Sequence, residues 1–275
     1  MADVTWHGND STTPNDLSVG GNWSTSSVPT GGDHVRLVSN YTANMSAGMS
    51  TLSATTLGDV VVESGYTGSI GTISDPLDII CSRFEFNGGG SSHINLQSSS
   101  IDAIINDTSQ NISTGQRGLY LTGTTLQTVS ITGGIVGIAY QHGDTSSVTT
   151  LRVHNGDVVA GNGCTLTTVD VYGGNVVLNS NITTLNVYGG RVVAGDDCDI
   201  TTLNIKDGIF RNVATGDITT ANIDGGVLEM AGGIARTITN LNLNAGGGID
   251  YDPAVVTVTN FNAPDAPVRI RASVF

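Results

Sequence analysis

Charge, aromatic rings and basic side chains are all scarce in this chain: 12% of its 275 residues are Asp, Glu, Lys or Arg, 5% are Phe, Trp or Tyr, and Lys206 is the single lysine. So few charges leave too little material for a population of amphipathic surface helices. With ten basic residues against 24 acidic ones and a formal net charge of −14, a phosphate-neutralising surface is not expected, nor is nucleic acid as a partner. It acts instead as a solubility device for a β-rich surface. No stretch of eighteen apolar residues is present, so no membrane-spanning helix and no membrane insertion is expected. The opening "MADVTWHGND" has neither a basic segment nor an apolar one, and the expectation is synthesis in a cytoplasm without a signal peptide. In that setting the sequons at Asn22, Asn40 and Asn44 carry little weight. Three cysteines, Cys81, Cys164 and Cys198, give neither an even disulfide framework nor a metal-binding spacing, and they are read as reduced.

What the chain does have is glycine, 37 residues of it, and a repeating phrase. "TVSITGG", "TLRVHNG", "TVDVYGG", "TLNVYGG", "TLNIKDG" and "TANIDGG" end at Gly134, Gly156, Gly174, Gly190, Gly208 and Gly226, and a shifted copy, "NLNLNAGGG", falls near Gly247. The steps between these glycines are 22, 18, 16, 18, 18 and about 21 residues by subtraction of their positions. Within each phrase the apolar residues alternate, as in Leu185 and Val187 or Leu203 and Ile205, which is the period of a strand with one buried face. A second short apolar run comes after each glycine, so one coil is two or three short strands joined by glycine corners. A single coil cannot bury its own apolar face, but coils stacked about 4.8 Å apart can. The fold class expected is therefore all-β: a parallel β-solenoid with irregular coils of about 16–22 residues, right-handed because left-handed hexapeptide solenoids keep a strict multiple of six.

Stacking turns the repeat into columns. Val171, Val187, Ile205 and Ile223 should face inward, while Arg152, Asp170, Asn186, Asn204, Asn222 and Asn242 should form an outward column in which amides bond along the axis and Arg152 meets Asp170. Cys164 and Cys198 fall in one column with Ser180 on the coil between them, about 9.6 Å apart and out of disulfide reach. Tyr172 and Tyr188 occupy equivalent outward positions, with His154 before them and Lys206 after. Such a pair can be simple ladder stacking, a face for a sugar or a subunit contact.

The pattern divides the chain into three segments: a non-repeating N-terminal cap over 1–50, the solenoid over 51–250, and a C-terminal cap or interface strand over 251–275. The cap holds Trp6 and Trp23, which seal the first rung and, with Tyr172 and Tyr188, are the candidate contact residues. Between 51 and 120 the phrase loosens, "INLQSSSIDAIIN" being a further rung and "NGGGSSH" a corner.

Motifs that carry chemistry are missing. The cluster "GDDCD" with Asp196, Asp197 and Asp199 occupies a corner that is polar on every coil. His7, His34, His93, His142 and His154 show no paired spacing, and "GIVGIAYQHGD" lacks the strand-then-helix setting that would give its glycines a phosphate-binding role. No catalytic residue, metal or other cofactor is expected, and the chain is read as not an enzyme.

The phrase "W…NW…VP…GD…V" followed by "LGDVVVESGYTGSIGT" resembles the N-terminal part of β-helical virion proteins of tailed, especially marine, phages, over residues 5 to 75; beyond that the likeness is one of architecture. The resemblance implies a non-enzymatic structural protein of the virion, foremost a capsid decoration protein that is a homotrimer and contacts the major capsid protein or another virion protein. The alternatives are a tail fibre or tailspike-like attachment protein and a glycan-binding bacterial adhesin that meets a host surface glycan. A polysaccharide-cleaving tailspike would need an acid pair open to substrate, and the sequence offers none.

Overall fold

The computed structural model describes residues 1–38, 43–88, 90–106, 118–141, 143–196, 198–263 and 269–272. His142, Asp197 and the sequon at Asn40 lie outside them. Apart from two short 3-10 turns, Gly20–Asn22 and Thr51–Ser53, the regular elements are strands. The chain divides into two compact units, Met1–Ser147 and Val148–Phe275, and each is a parallel β-solenoid.

In the second unit every coil has two strands. The longer ones, Cys164–Val171, Ile182–Val187, Ile200–Ile205, Ile218–Ile223, Arg236–Leu243 and Val256–Asn262, pair in parallel one after another. The shorter ones, Asp157–Ala160, Asn175–Leu178, Arg191–Ala194, Ile209–Asn212, Val227–Met230, Gly248–Tyr251 and Arg269–Ala272, do the same. Register is set by the alternation: Val169, Leu185, Leu203, Ala221 and Leu241 form one buried column, and Val171, Val187, Ile205, Ile223 and Leu243 another. Each large aliphatic side chain placed there removes enough apolar surface from water to contribute roughly 1.5–3 kcal/mol. At the corner between the strands stands a column of glycines. Gly190 has φ +75°, and a Cβ there would come within 2.7 Å of the Gly173 and Gly174 backbone on the preceding rung, so the sequence repeats glycine because backbone touches backbone at that level.

The first unit uses the same pairing with less regular coils. Asp3–Trp6, His34–Leu37, Leu57–Val62 and Cys81–Phe86 pair in parallel in that order. Ser92–Asn106 and Leu119–Gly133 are each 15 residues long and pair with each other through register shifts between Leu96 and Asp102. These long strands therefore turn a corner without leaving the sheet. Ser92–Asn106 contains the rung expected from "INLQSSSIDAIIN". The cap boundary expected at residue 50 does not coincide with the end of strand pairing, because Asp3–Trp6 and His34–Leu37 are themselves rungs. Likewise Val256–Asn262 and Arg269–Ala272 pair as a final rung.

The segment between the first two strands folds back on the first rung. Trp6 and Trp23 are both fully buried and meet edge to face, with ring centroids 5.1 Å apart. The Trp23 indole N–H donates to the Leu17 carbonyl at 2.9 Å. Asn22, also buried, donates to the Thr13 and Asp16 carbonyls and accepts from the Asp10 N–H at 2.8 Å, so the sequon at Asn22 has no amide free to carry a glycan. These contacts correct the assignment of Trp6 and Trp23 as contact residues. Both rings are interior, since Trp6 shares the inward face of its strand with Val4.

The "YTG" of the resemblance phrase has a packing role of its own. Tyr66 is buried and its hydroxyl donates to the Ala43 carbonyl at 2.5 Å. A Cβ at Gly68 would collide with that hydroxyl at 2.4 Å.

Candidate functional site

The outward columns of the second unit satisfy themselves along the axis. Asn186 donates to Asp170, Asn204 to Asn186, Asn222 to Asn204 and Asn242 to Asn222, each at 2.8 Å. All four bonds run in one direction, each rung's amide N–H reaching back to the carbonyl or carboxylate oxygen of the rung before it. Arg152 Nε stands 3.7 Å from Asp170 Oδ2 at the start of the column, a half-exposed pair worth at most about 1 kcal/mol. The first unit repeats the device with other side chains: Asn95 donates to Asp78 at 2.8 Å and Thr122 to Asn95 at 3.2 Å.

A second column carries the tyrosines. Backbone bonds place His154, Tyr172, Tyr188, Lys206, Asp224 and Asn244 at equivalent positions on successive rungs. His154 stacks on Tyr172 at a centroid distance of 4.8 Å and 7° between planes, and Tyr172 on Tyr188 at 4.9 Å and 9°. The distance is the strand spacing itself. Both faces of the Tyr172 ring are thus covered by neighbours. Although Tyr172 is 45% and Tyr188 42% exposed, what Tyr172 shows to solvent is ring edge and hydroxyl, so the ring offers no face on which a sugar could stack. Further along, Lys206 pairs with Asp224, which also accepts from the Asn244 amide. The Lys206 ammonium, and then that amide, hold the Asp224 carboxyl below the usual carboxylate range.

The residues searched for chemistry are dispersed into structural tasks. Asn181 Oδ1 accepts the Asp199 N–H at 2.8 Å, Asp199 Oδ1 accepts the Asp217 N–H at 2.8 Å, and Asp217 Oδ1 accepts the Thr237 N–H at 2.6 Å. Asp199 is therefore a bracket between rungs. Asp196, with φ +51°, lies at the rim of a recess in the same corner. His34 pairs with Asp59, which Arg36 also reaches at 3.3 Å. His93 stacks on Tyr120 at 4.5 Å, and neither of its buried ring nitrogens has a hydrogen-bond partner. Among the described residues no group of three His, Cys, Asp or Glu side chains is placed to hold a metal ion. The three thiols are free and buried, and burial pushes each up to about 12, out of range for nucleophilic work at neutral pH. Cys198 Sγ donates to the Ser180 carbonyl at 2.9 Å, as expected of a small corner residue.

Two features were invisible to the repeat pattern. One is Arg236, 3% exposed, whose guanidinium donates to the Asn212 carbonyl at 2.6 Å, to Ile234 at 3.2 Å and to Ala231. Burial lowers its pKa, and the carbonyl acceptors compensate a charge that pairs with no carboxylate among the described residues. The other is the last rung. Phe261 continues the Leu185, Leu203, Ala221, Leu241 column and Ile270 continues the Val192, Phe210, Leu228, Ile249 column. Phe261 is 51% exposed and Ile270 48%, whereas the residues behind them are buried. Among the described residues no strand pairs with the far edge of Val256–Asn262 or of Arg269–Ala272. Compared with family models, with curated proteins and with solved structures, the chain matches none.

Proposed function

We propose that the chain is a non-enzymatic structural protein that works as one piece of a larger assembly, with its last rung as the contact through which copies of the chain associate. The observation that carries this reading is the exposure of Phe261 and Ile270 on an edge whose equivalents are buried on the preceding rungs. An unpaired parallel edge with two apolar side chains is a surface that favours protein contact. The occupant is a second copy, and the sealed first rung decides how it sits. Because Trp6 and Trp23 close the N-terminal end, copies cannot add head to tail into an open filament. They meet C-terminal end to C-terminal end in a closed oligomer, the trimer of the sequence-based expectation being one such form.

The columns support a mechanical role. Side chains that spend their hydrogen-bonding capacity on the rungs above and below make a stiff body resistant to proteases. Taken with the resemblance in the first 75 residues, the assembly proposed is the virion of a tailed phage, with the protein decorating the capsid or forming part of an attachment organelle. Mass in solution by light scattering, measured for the natural chain and for Phe261→Asp with Ile270→Asp, tests the contact. A closed oligomer that the double substitution converts to monomer supports it, and a monomeric natural chain contradicts it. Saturable binding to undecorated capsids supports the decoration role, and indifference to them removes it.

A further inference from the structure

The coil ending at Gly190 is two residues shorter than its neighbours, 16 against 18 on either side by subtraction of Gly174 from Gly190, of Gly156 from Gly174 and of Gly190 from Gly208. Register locates the missing residues. Ala160, Leu178 and Ala194 are equivalent, as are Leu166, Ile182 and Ile200. The corner between these positions has five residues in the first coil (161–165), three in the second (179–181) and five in the third (195–199). A short corner between two long ones is a notch, and the structure has a recess at that place, lined by Asn162, Cys164 and Thr165 from the preceding coil, Asn179, Ser180 and Asn181 from the short coil, and Asp196 from the next one.

The lining selects its ligand. Among the described residues it contains no basic side chain, which disfavours phosphate or sulfate, and no aromatic ring, and the buried Cys164 thiol is its one apolar contribution. Asp196 is the one carboxylate among the described lining residues, short of the several that a calcium site gathers. What the lining mostly offers is amides and hydroxyls, which both donate and accept, with a carboxylate that accepts. The lining also holds an unmet demand: Ser180 is 7% exposed, and its Oγ is buried without a hydrogen-bond partner. A buried hydroxyl left in that state is costly, and a turn of its χ1 toward the recess lets a ligand hydroxyl meet it. Neutral molecules dense in hydroxyls match a wall of amides and hydroxyls. We propose that the corner notch of the 175–190 coil is a binding site for a neutral saccharide, spanning three rungs and hence about 10 Å along the axis. The tyrosine column, whose inner ring is covered on both faces, is not part of it. The inference is independent of the assembly proposed above.

The test uses a glycan array of neutral and of anionic oligosaccharides, followed by calorimetric titration of the strongest neutral binder. The natural chain is compared with a variant in which residues 179–181 are replaced by Gly-Asn-Gly-Ser-Thr, a five-residue corner patterned on 161–165, and with Asn162→Ala and Asp196→Ala at exposed positions. The filled corner restores a regular coil, so it should melt at least as high as the natural chain while losing neutral-glycan binding at least ten-fold, and each alanine variant should weaken it several-fold. If the filled corner does not fold, the two alanine variants decide. Absence of neutral-glycan binding, recognition of anionic glycans alone, or binding unchanged in the folded variants would overturn the proposal, whereas a change in oligomer mass would not bear on it.

Discussion

At the first rung Val4 and Trp6 are buried, as Val35 and Leu37 are on the next, and Trp23 is laid against Trp6 with its indole N–H satisfied by Leu17. At the last rung Phe261 and Ile270, which occupy inward columns just as Trp6 does in its own strand, are about half exposed. A stack of coils has two ends, and each end leaves one layer of apolar side chains and one strand edge without a neighbour. In this chain Trp23 and the segment that carries it lie against the first-rung strand. At the last rung Phe261 and Ile270 stay exposed, the surface proposed above for a second copy. A cap and such an interface are alternative answers to one physical demand.

Substitutions at the two ends should separate those answers. Trp23→Ala removes a large buried ring and an indole hydrogen bond, and should lower stability by about 3–5 kcal/mol in denaturant titration. Next in size, Leu203→Ala should cost about 2–5 kcal/mol, while Phe261→Ala, in the same column, should change the stability of the isolated chain by about 0.5 kcal/mol or less. Equal losses at the two positions would show the last rung to be as buried as the interior ones. In the oligomer proposed above the loss at Phe261 should grow and become dependent on protein concentration. Smaller again, Asn204→Leu breaks two rungs of the amide column and leaves Asn222 without its acceptor, an expected cost of about 1–2 kcal/mol, read as a lower midpoint at unchanged slope.

The histidine and tyrosine stack of the first unit gives the smallest of the expected effects. His93 on Tyr120 is held with its ring nitrogens buried and unpartnered, and burial lowers its pKa below 6.5, with Asp144 opposing the shift. A histidine whose folded pKa is depressed stabilises the fold above the unfolded pKa and ceases to do so as pH falls. Stability should therefore decline on acidification below about 6.5, and His93→Gln should flatten that part of the profile measured by thermal melting. A profile unchanged by the substitution would assign the acid sensitivity elsewhere.

The second unit could be read from the sequence down to single hydrogen bonds, because its period is nearly constant and a constant period fixes register. Asn186, Asn204, Asn222 and Asn242, and the Tyr172 and Tyr188 pair, stand in the columns that the alignment on glycine gives. The first unit resisted that reading. Its strands bend across corners with shifted register, so the residues of Ser92–Asn106 and Leu119–Gly133 cannot be aligned by counting. The sequence offers Trp6 and Trp23 both as a seal on the first rung and as contact residues, and the alternation Val4, Trp6 in Asp3–Trp6 already marks the inward face that decides for the seal. The notch was present as arithmetic, a step of 16 among steps of 18, but a deletion becomes a recess only when its neighbours are stacked against it. The open end carries no local signal, since Phe261 and Ile270 sit in ordinary alternating strands and their exposure depends on whether another rung is stacked beyond them.

The most direct test of interchangeable rungs is deletion of residues 177–192, which joins Val176 to Val193, the successor of its own equivalent Val192. The account predicts a soluble protein with a β-rich circular dichroism spectrum and a cooperative melt, lacking the notch and any glycan binding it confers. An aggregated or unfolded product would contradict a solenoid in which each coil is an independent rung.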